Sequence, residues 1–184
     1  TLANKVRSLL DSENPTVAPY AGDGEVKLRV TAKADSVTAA NALIDPVVEK
    51  IKQLSGADCY GQDEETLASV TGQLLQARSQ TLSVAESCTG GGLGQLLTAT
   101  PGSSSYFWGG VISYDNRVKQ GLLGVDAQVL EACGAVSPEV AKAMAEGVRD
   151  RLGTDWALSI TGIAGPGNPC DTQGPVCQIG RAQV

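Results

Sequence analysis

The 184-residue sequence contains no histidine. That absence removes the imidazole base of Ser-His-Asp and Cys-His catalysis, and with it the commonest zinc ligand. Any hydrolytic serine in this chain must find another base, and lysine is the usual substitute. Long apolar runs are missing too. None approaches the ~20 residues of a membrane span, and no leader-like pattern opens the sequence, so no membrane partner is expected. Nor is there a basic excess. Lys and Arg number 14 against 20 Asp and Glu, a net charge of −6 without a basic stripe. This argues against nucleic acid as a partner and leaves room for a small anionic ligand held by local donors. The five cysteines (59, 88, 133, 170 and 177) include no C-x-x-C pair. Reduced thiols in a cytoplasmic protein are therefore expected, rather than a disulfide frame or a metal centre. The first residue is Thr1 rather than Met, which predicts a piece of a longer protein.

What is present is concentrated in one stretch, from Thr81 to Leu97. Its opening, Thr81-Leu82-Ser83-Val84-Ala85, is a short apolar run of strand formers. Glu86-Ser87-Cys88-Thr89 and Gly90-Gly91-Gly92 then make a polar, glycine-dense turn, and Leu93 to Leu97 resumes a helical spacing. A strand-turn-helix of this kind aims backbone N–H groups, and the positive end of a helix dipole, at whatever sits over the turn. Ser87 reads two ways there: as a nucleophile beside those donors, or as a cap of the following helix. Cys88 is a weaker candidate, because no imidazole or evident cation activates it.

Before this stretch the pattern is that of a small α+β module over residues 1–78. A helix is expected over 1–13, stopped by Asn14-Pro15, followed by a strand over 17–20 and an alternating strand over 25–32. Ser36 caps a helix carrying Val37, Ala40, Ile44, Val47, Val48 and Ile51, with Pro46 kinking or dividing it. A third strand is expected over 57–61, and Asp63 is expected to cap a helix running to Ala77. After residue 78 the pattern alternates strand and helix. Strands are expected over 81–85, 109–114 and 155–160, with helices over 92–98, 118–122 and, capped by Ser137-Pro138, through Leu152. The expected fold is α/β, a layered α/β/α domain over 79–184 whose polar loops follow the strands, where ligands of open α/β sheets bind. Residues 168–184 predict neither strand nor helix and read as a divergent or truncated end.

Five blocks in order carry a resemblance: Ala85-Glu86-Ser87-Cys88-Thr89-Gly90-Gly91, Pro101-Gly102-Ser103-Ser104, Tyr114-x-Asn116-x-x-Lys119, Gly134-Ala135-Val136-Ser137 and Thr161-Gly162-Ile163-Ala164-Gly165-Pro166. Together they resemble the C-terminal domain of the CinA family. Asn14 to Tyr20 and Gly24 to Ala32 are similar to that family's KH-like middle domain. The resemblance implies a homo-oligomeric amidohydrolase that converts nicotinamide mononucleotide (NMN) to nicotinate mononucleotide and ammonia, without metal or cofactor. It implies Ser87 as nucleophile, Lys119 as base with Tyr114 beside it, and backbone donors around Thr89 to Gly91 for the oxyanion. It further implies a substrate cradle drawn from Glu86, Thr89, Gly90, Gly91, Asn116, Thr161, Gly162 and Gly165. Read without it, Lys119 is a surface lysine and Tyr114 a core tyrosine. A second function class stays open beside the enzyme: a catalytically impaired nucleotide- or protein-binding module with a regulatory role in competence or DNA damage. The first half lacks the Gly-x-x-Gly loop with which KH domains clamp nucleic-acid backbone.

Overall fold

The structure, a computed structural model, describes residues 2–22, 24–164 and 177–183. The chain divides into two compact units, Thr1–Gln62 and Asp63–Val184.

The first unit holds helix α1 (Leu2–Leu10), strands β1 (Thr16–Ala21) and β2 (Val26–Thr31), and helix α2 (Val37–Ser55). The strands form a two-stranded antiparallel hairpin in which Thr16 faces Thr31 and Ala21 faces Val26. Val6 of α1, Val17 of β1 and Ile51 of α2 are its buried apolar side chains. Ser36 caps α2 as expected, accepting from the Ala39 N–H at 3.1 Å. Pro46 neither ends nor divides the helix. Pro46 and Ala42, whose carbonyl the ring leaves without a donor, are both exposed, so water can take the place of the missing bond. The strand expected over 57–61 is instead a single 3-10 turn, Gly56–Asp58.

The second unit is a four-stranded sheet of order β4-β3-β5-β6, comprising β3 (Leu82–Glu86), β4 (Phe107–Ile112), β5 (Trp156–Gly162) and β6 (Cys177–Gln183). β3 runs parallel to both its neighbours, and β6 closes the other side antiparallel to β5. Every residue of β3 is buried, as befits a strand covered on both faces. On one face Leu82 and Val84 pack with Leu75 of helix α3 (Leu67–Ala77), Leu97 of helix α4 (Gly92–Thr98) and Tyr106. On the other, Ala85 and Ala157 meet Val140, Met144, Ala145 and Val148 of helix α7 (Pro138–Leu152), with Leu123 from helix α5 (Asn116–Leu123) and Leu130 from helix α6 (Ala127–Cys133). The result is the α/β/α layering that the alternating pattern predicts.

Several sequence expectations are corrected here. The division falls at 62/63 rather than 78/79, because α3 packs onto the sheet. Its Gly72 lies against the Tyr106 ring, where a Cβ would overlap the phenol, and Leu75 joins the same cluster. The α3 cap is Thr66, in a reciprocal capping box with Ser69, and not Asp63, whose φ of 54° is left-handed. Helix α6 was not anticipated. The tail does contain a strand, β6, registered from Cys177 opposite Gly162 to Gln183 opposite Trp156. Gly180 of β6 lies so close to the Ala141 carbonyl of α7 that no side chain would fit.

Candidate active site

Ser87 is the first residue past β3, and the sheet fixes it from two sides. Its N–H donates to the Ile160 carbonyl of β5 at 2.9 Å, while the preceding Glu86 carbonyl accepts the Ser113 N–H beyond β4 at 2.6 Å. Ser113 also places its own hydroxyl 3.4 Å from that carbonyl. The ends of three strands thus meet at one point, and the chain of β4 turns there through Tyr114 and Asp115 into α5. Asp115 caps α5 by accepting from the Arg117 N–H at 2.8 Å. Lys119 follows on the first turn of α5, and its side chain runs back under the strand ends, 1% exposed.

The Lys119 amine has three neighbours. It lies 2.8 Å from the Ser113 carbonyl, 3.2 Å from the Tyr114 carbonyl and 3.2 Å from Ser87 Oγ. An ammonium has three N–H donors and satisfies all three. A neutral amine has two donors and one lone pair. Carbonyl oxygens can only accept, so the two donors go to Ser113 and Tyr114, and the lone pair is left for the Ser87 hydroxyl, which then donates. Burial pushes the Lys119 amine below the ordinary lysine value; the Asp115 carboxylate and the Cys88 thiol oppose that only in part. Asp115 itself is held down to about 2, chiefly by the Arg117 guanidinium and N–H. The arrangement can therefore remove a proton from Ser87 without an imidazole.

Glu86 is 2% exposed and its carboxylate faces inward, toward the start of α4. It accepts the N–H groups of Gly91 at 3.2 Å, Leu93 at 2.9 Å and Gly94 at 2.8 Å. Burial raises its pKa, but the Thr89 hydroxyl and these three N–H groups outweigh burial, and the net shift is downward. The Gly90 N–H donates to the Ser87 carbonyl at 3.1 Å. Gly90 and Gly91 have φ of 58° and 107°, a left-handed backbone that other residues adopt at a cost.

The donors expected at Gly90 and Gly91 are therefore committed within the turn. Those of Cys88 and Thr89 meet no backbone acceptor among the described residues. The Cys88 N–H directly follows Ser87, the position that serves an oxyanion in other hydrolases. Burial above all, with Cys177 nearby, pushes the Cys88 thiol up, which keeps it protonated and unreactive.

The other expected site residues fall differently. The Tyr114 side chain is 66% exposed, and its carbonyl, not its phenol, reaches Lys119. Thr161 is buried with its hydroxyl donating to the Ala135 carbonyl at 2.8 Å, so that group braces the loop before Ser137. Gly162 ends β5 opposite Cys177. Thr89 is exposed in the turn, Asn116 is exposed at the first position of α5, and Gly165 lies outside the described residues. Ser113 had no place in the sequence reading. It acts through its backbone carbonyl and N–H, which leave no mark in residue type.

Two family models match the chain: the CinA C-terminal domain over residues 64–183 and the damage-inducible protein CinA KH domain over residues 1–61. The junction between them coincides with the division between the two units. Among curated proteins, a CinA-like protein of Synechocystis sp. is 61% identical over 166 residues, 90% of this chain and 40% of that protein. A CinA-like protein of Gloeothece citriformis is 62% identical over 172 residues, 94% of this chain and 41% of that protein. The chain thus spans about 40% of the length of these relatives. Among solved structures, the competence/damage inducible protein CihA from Agrobacterium tumefaciens superposes with a TM-score of 0.62 at 35% identity, over 68% of this chain and 76% of that one. A CinA superfamily protein from Klebsiella pneumoniae gives 0.58 at 28% identity, over 67% of this chain and 84% of that one.

Proposed function

The chain belongs to the CinA family, and from that premise we propose that its second unit is an amidohydrolase that opens the carboxamide of nicotinamide mononucleotide. The observation that carries the reading is the Lys119 amine, buried, depressed in pKa and 3.2 Å from Ser87 Oγ in a chain without histidine.

The Ser87–Lys119 contact supports the following steps. Neutral Lys119 takes the Ser87 proton as Oγ bonds to the carboxamide carbon. The carbonyl oxygen becomes an oxyanion, which the N–H groups of Cys88 and Thr89 receive. Such preset donors commonly supply the largest part of acyl-transfer catalysis, about 3–4 kcal/mol for one donor. The Lys119 ammonium returns its proton to the nitrogen, the C–N bond breaks and ammonia leaves, with the acyl group now an ester on Ser87. Water, deprotonated by Lys119, attacks that ester. The C–Oγ bond breaks, the proton goes back to Ser87, and nicotinate mononucleotide departs. Atoms balance without a further reactant: NMN and water give nicotinate mononucleotide and ammonia.

The ester intermediate is the direct test. Acid quenching during turnover, followed by peptide mass analysis, is expected to show the nicotinoyl-nucleotide mass on the peptide that contains Ser87. A Ser87→Ala variant should show none. Adduct on the Cys88 peptide, or turnover with no adduct and full activity in Ser87→Ala, would remove the serine from the mechanism.

A further inference from the structure

We propose that Glu86 is the positioning residue of the nucleophile turn: its buried carboxylate, rather than touching substrate, holds Ser87 Oγ and the two oxyanion donors in register with Lys119. The inference rests on the amidohydrolase reading and gives Glu86 a different role from the substrate contact expected from the sequence.

The geometry is unusual for a helix start. The first N–H groups of any α-helix have no acceptor within the helix, and normally the N-cap side chain takes one of them. Here the N-cap is Gly91, which has no side chain to offer. The acceptor comes instead from five residues upstream, across the whole turn. One oxygen of Glu86 takes the N–H groups of Gly91 and Leu93, and the other takes Gly94.

Glu86 is also the last residue of β3, its carbonyl tied to Ser113. One residue therefore clamps both ends of the segment from Ser87 to Gly91. The charge suits the place, since the carboxylate faces the positive end of α4. The Lys119 amine bonds Ser87 Oγ and the Ser113 and Tyr114 carbonyls, and not the Glu86 carboxylate. The charged and titratable neighbours that shift the amine are Asp115 and Cys88. Losing Glu86 should thus displace the nucleophile without retuning the base.

Glu86→Gln is the discriminating variant, because it keeps the shape but replaces one of the two acceptor oxygens with a donor. The expected result is a fall in kcat of about 100-fold, the usual effect of a misplaced reacting group, with KM within about twofold of the parent. The pH limb due to Lys119 should stay where it is. Amide hydrogen exchange should quicken at Gly91, Leu93 and Gly94 while the β3 amides stay protected. Unchanged kcat would overturn the inference, and so would a raised KM with kcat intact, which would return Glu86 to substrate contact. A shifted Lys119 limb would make it a charge partner of the base instead.

The same pair of proteins distinguishes failure of the enzyme reading from failure of this one. If the parent releases no ammonia from NMN, the amidohydrolase reading falls, and phosphorylation of Ser87 by diisopropyl fluorophosphate, in which Oγ bonds to phosphorus and fluoride leaves, decides the rest. A parent that reacts about 10-fold or more faster than Glu86→Gln keeps the positioning role. Equal rates remove it.

Discussion

At the scale of single residues, the decisive quantity is the protonation state of Lys119. Its amine is buried with a lowered pKa, so between the folded value and the unfolded one, about 10.4, the unfolded chain binds more protons. Stability contributed by this residue is therefore complete above the unfolded value and is lost as pH falls through the folded one. Activity follows the same proton, since only the neutral amine can accept from Ser87. The kcat/KM profile is expected to rise with pH along a single-proton limb centred below the ordinary lysine value, and a limb at or above 10.4 would contradict this. Lys119→Arg should lose activity by at least about 100-fold, because a guanidinium keeps its proton. The missing histidine and the matched motifs singled out Ser87 and Lys119 as a candidate pair in the sequence, and their side chains lie 3.2 Å apart. Glu86 and Ser113 were not legible in their roles. Glu86 accepts backbone N–H groups across a turn, partners that only the folded turn brings to it, and Ser113 lends a backbone carbonyl, which leaves no trace in residue type.

At the scale of elements, the site depends on helix α7, which presses β3 and β5 from below. Met144, with no exposed surface, sits where Ala85 and Ala157 leave room for it. Met144→Ala should cost about 2–5 kcal/mol in denaturant unfolding of the second unit. A loss under about 1 kcal/mol would mean that α7 does not pack as described. This tight packing also explains the strand that sequence reasoning missed. The buried positions of β6 are Gly180 and Ala182, small because α7 comes so close, and small residues carry no apolar alternation. Helix α6 was missed because seven residues are too few to establish a period. The apolar runs of β3 and β5 and the Ser137-Pro138 start of α7 were readable because burial on both faces and helix capping both write directly into residue type.

At the scale of the whole molecule, two units with separate cores carry two family matches. Among the described residues no helix is long and apolar enough to cross a membrane. The proposed chemistry lies wholly in the second unit. The layered architecture was legible from the alternation of strand and helix, whereas the placement of α3 was not, since its contacts with Tyr106 and Leu97 are long-range. The central claim is that Ser87 and Lys119 act together on a carboxamide. The measurement that tests it most directly is ammonia release from NMN by the purified chain, beside folded Ser87→Ala and Lys119→Arg variants. The account predicts release by the parent and loss of at least about 100-fold in each variant. No release from a folded parent, or release that survives Ser87→Ala, would contradict it.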